Sequence, residues 1–207
     1  MPRTVIISVG TALLTNQGWR RHQPVPDTGT LLAHLRAADL VKASAETHTL
    51  YRLPLLADDE LHWLYSDTAE GSRCAEVLHA YYSDGNDGNI GNAYRSTLHR
   101  IDNLGHRSDR FEQGLRNLAL ATVDILQHNG VDAVPSDLRS GEFIICATGG
   151  FKPEAAYLNI VGLLFRVPVK YLYEGSEHIV TLPLPAIANY TSHDVKAFFE
   201  GLRLQEA

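Results

Sequence analysis

The feature that most constrains this chain is a unit that recurs: a short apolar strand, a polar turn carrying a hydroxyl, then a helical pattern. Thr4-Val5-Ile6-Ile7-Ser8-Val9 is a β-branched apolar run of the kind buried on both faces of a parallel sheet. It ends at Gly10-Thr11-Ala12. Leu61-His62-Trp63-Leu64-Tyr65-Ser66 reads as a second strand and passes through Asp67-Thr68 into a helix over about 70–82. Phe143-Ile144-Ile145-Cys146-Ala147 is another strand, and Thr148-Gly149-Gly150-Phe151-Lys152 hands it over to a helix predicted over 154–165. Strands that alternate with helices in this way need crossovers, and the expected result is a parallel sheet.

The remaining pattern fits the same plan. A polar, basic loop from Asn16 to Asp27 contains Trp19, Arg20, Arg21 and His22. A helix capped by Asp27 or Thr28 is predicted to run to about Ala43, with Leu31, Leu32, Leu35, Ala38 and Leu40 on its apolar side. Ser44-Ala45-Glu46-Thr47 should interrupt it before a short helix or turn carrying Leu50, Leu53 and Leu56, weakened by Pro54. Asp84 to Asn92 reads as a loop, and its aspartates lack the glutamate that closes a calcium-binding EF-hand. Thr97 to Ile101 reads as a strand, and Phe111 to His128 as the longest helix, stopped by Gly130. The helix over 154–165 is apolar nearly all round and should be buried on more than one side. Val167 to Tyr173 and Ile179 to Leu182 close the sheet, the second as an edge strand or hairpin partner. A final helix over 189–207, capped by Ser192, should turn Val195, Phe198, Phe199 and Leu202 inward. The fold class is α/β, a mostly parallel doubly wound sheet with flanking helices. Residues 1–187 form the domain and 188–207 a C-terminal helix packed on it.

A chain of 207 residues with 44% hydrophobic and 20% charged residues has the make-up of an ordinary globular domain. Its formal net charge of -6 argues against a general DNA- or RNA-coating protein, which needs a basic surface. It leaves room for a small anion in a locally positive cleft. Cys74 and Cys146 lack the spacing of a zinc or redox motif and read as buried thiols. No run approaches ~18 apolar residues, so no membrane span is expected. Met1 to Thr4 runs straight into a strand without room for a signal peptide, and the expected location is cytoplasmic.

In a doubly wound sheet three turns fall along one edge, where ligands bind: Gly10-Thr11-Ala12, Ser66-Asp67-Thr68 and Thr148-Gly149-Gly150-Phe151-Lys152. Paired glycines let backbone come close to a ligand, and a helix N-terminus offers free N–H groups to an anion. Neither G-x-G-x-x-G nor G-x-x-x-x-G-K-[ST] is present, so no dinucleotide or P-loop cofactor is expected, nor any metal site.

These turns carry a resemblance. Val9-Gly10-Thr11-Ala12-Leu13-Leu14, Ser44-Ala45-Glu46-Thr47, Ser66-Asp67-Thr68-Ala69-Glu70-Gly71 and Ala147-Thr148-Gly149-Gly150-Phe151-Lys152 are similar to the G-T-S-L-L, S-A-E-T, S-D-T-x-E-G and A-T-G-G-F-K elements of the CRISPR-associated Rossmann-fold (CARF) domain. Tyr171-Leu172-Tyr173-Glu174 and Leu182-Pro183-Leu184-Pro185 are similar to its closing strands. The group includes the standalone ring nucleases, and the resemblance covers the chain to about Ile187.

The resemblance implies a Rossmann-like fold and a homodimer with one composite cleft across a two-fold axis. Its ligand would be cyclic oligoadenylate, most often the tetra-adenylate ring made by type III CRISPR complexes. Ring nucleases cut that ring and switch the defence off. Gly10, Thr11 and Ala12 would line the cleft floor. Gly149, Gly150, Phe151 and Lys152 would grip phosphates, with Ser66, Asp67, Thr68 and Thr148 completing the ligand-binding set. Cleavage would use the ribose 2′-OH without a metal, Lys152 and Thr11 being the catalytic candidates. No general base is evident.

The chain departs from the pattern at Ala12, where cleaving relatives commonly carry serine. Losing such a hydroxyl removes ~2–3 kcal/mol of transition-state stabilisation if it acts as an oxyanion donor does. The alternatives are therefore a non-catalytic sensor or sponge, the sensory part of an effector, or an unrelated α/β enzyme sharing only the fold. Ser8 lies back within its strand and reads as packed. Trp19, with Arg20 and Arg21, is a candidate platform for adenine. The Arg73–His79 and Arg100–His106 pairs fit the short R-x(4–6)-H pattern of HEPN ribonucleases, which arises readily by chance among ten histidines. His62, His99 and His178 read as edge or surface residues.

Overall fold

Val5, Ile6 and Ile7 are sealed from solvent although their side chains point to opposite faces of the sheet. Both faces must therefore be covered, and helices cover them. The computed structural model describes residues 2–85, 93–105, 109–129, 142–173, 176–182 and 192–201. Its elements run β1 (Thr4–Val9), α1 (Ala12–Thr15), α2 (Thr28–Ala37), α3 (Leu40–Ala43), α4 (Ala45–Arg52), β2 (Glu60–Ser66), α5 (Ala69–Asp84), β3 (Arg95–Ile101), α6 (Phe111–His128), β4 (Phe143–Cys146), α7 (Lys152–Phe165), β5 (Val169–Leu172), β6 (Ile179–Thr181) and α8 (Ser192–Gly201).

The sheet order is β3-β2-β1-β4-β5-β6, with β6 antiparallel to β5 and all other pairs parallel. This is the Rossmann-like α/β architecture expected from the alternation of strands and helices. The chain steps outward from β1 through β2 to β3 and then starts again at β4 on the other side of β1. On one face Val5, Ile7 and Val9 pack with Leu31 and Leu35 of α2 and Leu78 and Tyr81 of α5. On the other, Ile6 and Ile145 pack with Leu118 and Val123 of α6 and Leu158 and Val161 of α7. Trp63, wholly buried in β2, donates its Nε1–H to Ser96 Oγ at 2.6 Å.

Local chemistry explains where the elements depart from the expected boundaries. The helix predicted from residue 28 to residue 43 is broken at Ala38, whose backbone is extended (ψ 156°). Asp39 accepts from Val41 N at 3.0 Å and starts α3 afresh, as a short acceptor side chain does at a helix N-terminus. Ser44-Ala45-Glu46-Thr47 interrupts the helical run as expected, Ser44 ending α3 and capping the start of α4. Ser44 Oγ accepts from Thr47 N at 3.1 Å while Thr47 Oγ1 accepts from Ser44 N at 3.0 Å, a reciprocal capping box. Helix α7 begins at Lys152 instead of Glu154 because Pro153, in its first turn, lacks only an N–H that no helical carbonyl would take. Between Glu154 and Phe165 only Ala156 is exposed, and α7 packs on β5, α6 and α8, as its apolar composition requires.

Helix α6 has the predicted bounds, and its terminator Gly130 lies outside the described residues. So do residues 86–92 of the aspartate-rich loop, Pro183 and Pro185, and the ends of the C-terminal helix. Helix α8 lies against α6, where Lys196 Nζ meets Asp124 at 2.6 Å. Among the described residues no helix is long and apolar enough to cross a membrane.

Because the Ser44–Thr47 box sets the first turn of α4, Ser44→Ala should lower stability by about 1 kcal/mol. Urea unfolding followed by circular dichroism measures the loss; an unchanged midpoint would show the cap to be dispensable.

Candidate functional site

The reversal of strand order between β1 and β4 parts the loops that leave those two strands, and a cavity of about 740 Å³ opens there. Its floor is made by Gly10, Thr11 and Ala12 after β1 and by Thr148, Gly149 and Gly150 after β4. Phe151 and Lys152 at the start of α7, Ser66 at the end of β2 with Thr68 beyond it, and Tyr171 and Tyr173 at the end of β5 also line it.

The turn after β4 is anchored on every side. Ser8 Oγ donates to the Gly149 carbonyl at 2.7 Å, so the predicted packed serine of β1 holds the turn from within the sheet. Leu172 N donates to Thr148 Oγ1 at 3.0 Å from β5. Gly150 takes φ +86°, a left-handed conformation that favours glycine. A side chain on Gly149 would overlap Glu46 Oε1 and the Ser8 carbonyl, and one on Gly150 would overlap Glu154 Oε2.

Those two carboxylates are the residues that sequence reasoning passed over. Glu46, 1% exposed on α4, accepts the Gly10 N–H at 2.7 Å and therefore ties the turn after β1 to the turn after β4. Its other oxygen is buried without a hydrogen-bond partner among the described residues. Glu154, 3% exposed, lies in the first turn of α7. Burial pushes its carboxyl up to about 8, the Phe151 backbone hydrogen bond opposes this, and the charge of Glu46 adds to the rise. The signal for Glu46 was its place in the Ser44-Ala45-Glu46-Thr47 element. The signal for Glu154 was an acid three positions into a helix that follows two glycines.

Of the residues expected in the site, Gly10, Thr11, Ala12, Ser66, Thr68, Thr148, Gly149, Gly150, Phe151 and Lys152 are brought to the cavity. Asp67 is not among its lining residues; its Oδ2 accepts from Asn103 N at 2.9 Å. Thr68 caps α5 through Gly71 N, and its hydroxyl also meets Ser66 Oγ at 2.8 Å. Thr11 precedes α1 without a side-chain capping bond. Lys152 is exposed and makes no ion pair with any described residue.

Trp19 is not an open stacking platform. It lines the cavity but is 7% exposed, belongs to the core, and donates Nε1–H to Pro24 O at 3.1 Å. Its large apolar face gains more from the core than from a loop surface. Arg21 reaches the cavity wall, whereas Arg20 donates to the Trp19 carbonyl. Phe151 and Tyr173, 40% and 68% exposed, are the open aromatic rings beside the cavity.

The histidines and thiols take structural places. His62 and His99 stack with their ring nitrogens 2.9 Å apart, and burial lowers both, His62 to about 4. His178 is exposed. Arg73 donates to Thr28 and His79 meets Ser96, so the first HEPN-like pair is spent on packing contacts; His106 lies outside the described residues. Cys74 and Cys146 are free and buried, and burial raises both thiols, Cys146 to about 12. No cluster of three metal-ligating side chains occurs among the described residues.

The protein is thus a Rossmann-like α/β protein with a glycine-lined, lysine-rimmed cavity at its strand-order reversal. The profile of the CRISPR-associated protein family Cas_APE2256 matches residues 41–185, more than half of the chain, and the chain belongs to that family. No curated protein matches it.

Two outcomes follow from the packing under the turn. Gly149→Ala should destabilise by about 1–3 kcal/mol, since the added methyl meets a carboxylate and a backbone carbonyl. Glu154 is raised in the folded protein from 4.5 to about 8. The folded state therefore holds a proton that the unfolded chain releases, and the stability it contributes below pH 4.5 is lost as pH rises to about 8. Glu154→Gln should flatten that slope and raise the melting temperature at pH 8, with an upper bound on the order of 5 kcal/mol. Melting curves of both proteins across this range check it; parallel slopes would contradict it.

Proposed function

We propose that this chain is a CARF-domain protein that binds cyclic oligoadenylate, cyclic tetra-adenylate above all, in a cleft completed by a second copy, and cleaves it as a ring nuclease. The observation that carries this reading is the Thr148–Lys152 turn. It sits at a strand-order reversal, on a helix N-terminus, with a glycine pair at the cavity floor and Lys152 exposed beside them. Such a junction suits a phosphodiester. Membership of a CRISPR-associated family supports a ligand drawn from that defence system. A ligand with two-fold symmetry would use each turn twice across a homodimer axis.

In the cleavage step the ribose 2′-oxygen attacks the adjacent phosphorus in line. The new 2′-O–P bond forms as the P–O5′ bond breaks, leaving a cyclic 2′,3′-phosphate. The 2′-OH proton is lost and the 5′-oxygen gains one. The protein holds the ribose in a reactive pose and places the Lys152 charge near the phosphoryl oxygens. Thr11, whose hydroxyl makes no capping bond, would position the ribose or a phosphate.

Ala12 favours the second reading, a sensor that binds the ring and leaves it intact. It lines the cavity beside Thr11 and offers no hydroxyl where cleaving members of the proposed group carry one.

Incubation with labelled cyclic tetra-adenylate in EDTA separates the readings. Linear products ending in a cyclic phosphate are expected, with Lys152→Ala slowing their formation about 10²–10³-fold. Tight binding with an intact ring would instead establish the sensor, and absence of binding would reject both.

A further inference from the structure

Two glutamates fill the volumes that the glycine pair leaves empty. Glu46 Oε1 stands where a side chain on Gly149 would lie, and Glu154 Oε2 where one on Gly150 would lie. Both residues line the cavity and both are nine-tenths or more buried. Glu46 spends one oxygen on the Gly10 N–H, and its other oxygen is buried and unpartnered among the described residues. Two full negative charges so placed would repel each other and any anion resting on the far side of the same turn.

We propose that Glu46 and Glu154 are a proton-holding pair of positioning residues, and that the Gly149–Gly150 turn accepts a phosphodiester only while Glu154 keeps its proton. The binding half of this rests on the reading of the cavity as an anion site. The raised Glu154 carboxyl sets the change near pH 8, driven first by burial and then by Glu46. The other charged or titratable groups lining the cavity are Lys152 of α7, His48 of α4, Lys42 of α3, Glu70 of α5, Arg21 in the loop after α1, Tyr171 of β5 and Tyr173 just after it. Among these charges it is Glu46 that raises the Glu154 carboxyl. Ligand affinity is therefore level below about pH 8 and falls about tenfold per pH unit above it, as expected for loss of one required proton.

The test has two readouts on the full chain. Carbon-13 NMR of the glutamate carboxyls in the free protein follows the pair itself from about pH 4 to about pH 9. One carboxyl is expected to titrate near pH 8, to vanish in Glu154→Gln and to move down in Glu46→Gln. Titration of every glutamate in the ordinary range would overturn the proposal. Calorimetric titration with cyclic tetra-adenylate follows binding. Glu154→Gln is expected to keep at about pH 9 the affinity that the wild type has at about pH 7. An identical fall in affinity in both proteins overturns the role of the pair in binding. If the ring binds at no pH while the NMR titration is as expected, the Glu154 proton stands and both the ligand reading and its coupling fall.

Discussion

The site depends on a buried carboxylate held between two turns. Glu46 reaches from α4 to the Gly10 N–H and lies against Gly149, so one side chain joins the loops that leave β1 and β4. Placing a charge there costs several kcal/mol unless hydrogen bonds and neighbours compensate. The Ser44–Thr47 capping box fixes the turn of helix from which Glu46 projects, and the absence of side chains on the paired glycines leaves it room. The glycines thus make room for acids below the turn as much as for a ligand above it.

The sheet supplies the rest of the frame. Because β4 returns to the far side of β1, the two loops diverge, and a cleft opens at the strand ends without any insertion. Ser8 and Thr148 then fasten the second turn to β1 and β5 through hydrogen bonds of 2.7 and 3.0 Å. With its backbone fixed at both sides and beneath, the turn presents Lys152 and the first turn of α7 with little freedom to reorganise. Preorganisation of that kind is what an electrostatic grip on a charged ligand needs.

The charge at this edge is of mixed sign. Lys152, Lys42 and Arg21 line the same cavity as Glu46, Glu70 and Glu154. The acids lie mainly beneath or beside the backbone, while Lys152, Lys42 and Arg21 are exposed. In the function proposed above, membership of a CRISPR-associated family and the lysine-rimmed glycine turn support a phosphodiester ligand, and the proposed role of the acids is to set the conditions for its binding.

Much of this was legible in one dimension. Apolar runs marked β1, β2 and β4, the 3.6-residue period gave α6 its bounds, and alternation of strand and helix determined a parallel sheet. The three polar turns were identifiable because strand ends in such a sheet share an edge. What remained hidden depended on neighbours distant in sequence. Nothing local marks Glu46 as the residue that ties Gly10 to Gly149, Trp19 as a core residue rather than a stacking platform, or Asp67 as a partner of Asn103. Local propensity and periodicity act within a few residues and so are written in the sequence. The burial of a carboxylate and the pairing of two turns are decided only when the strand-order reversal brings β1, β4 and α4 together.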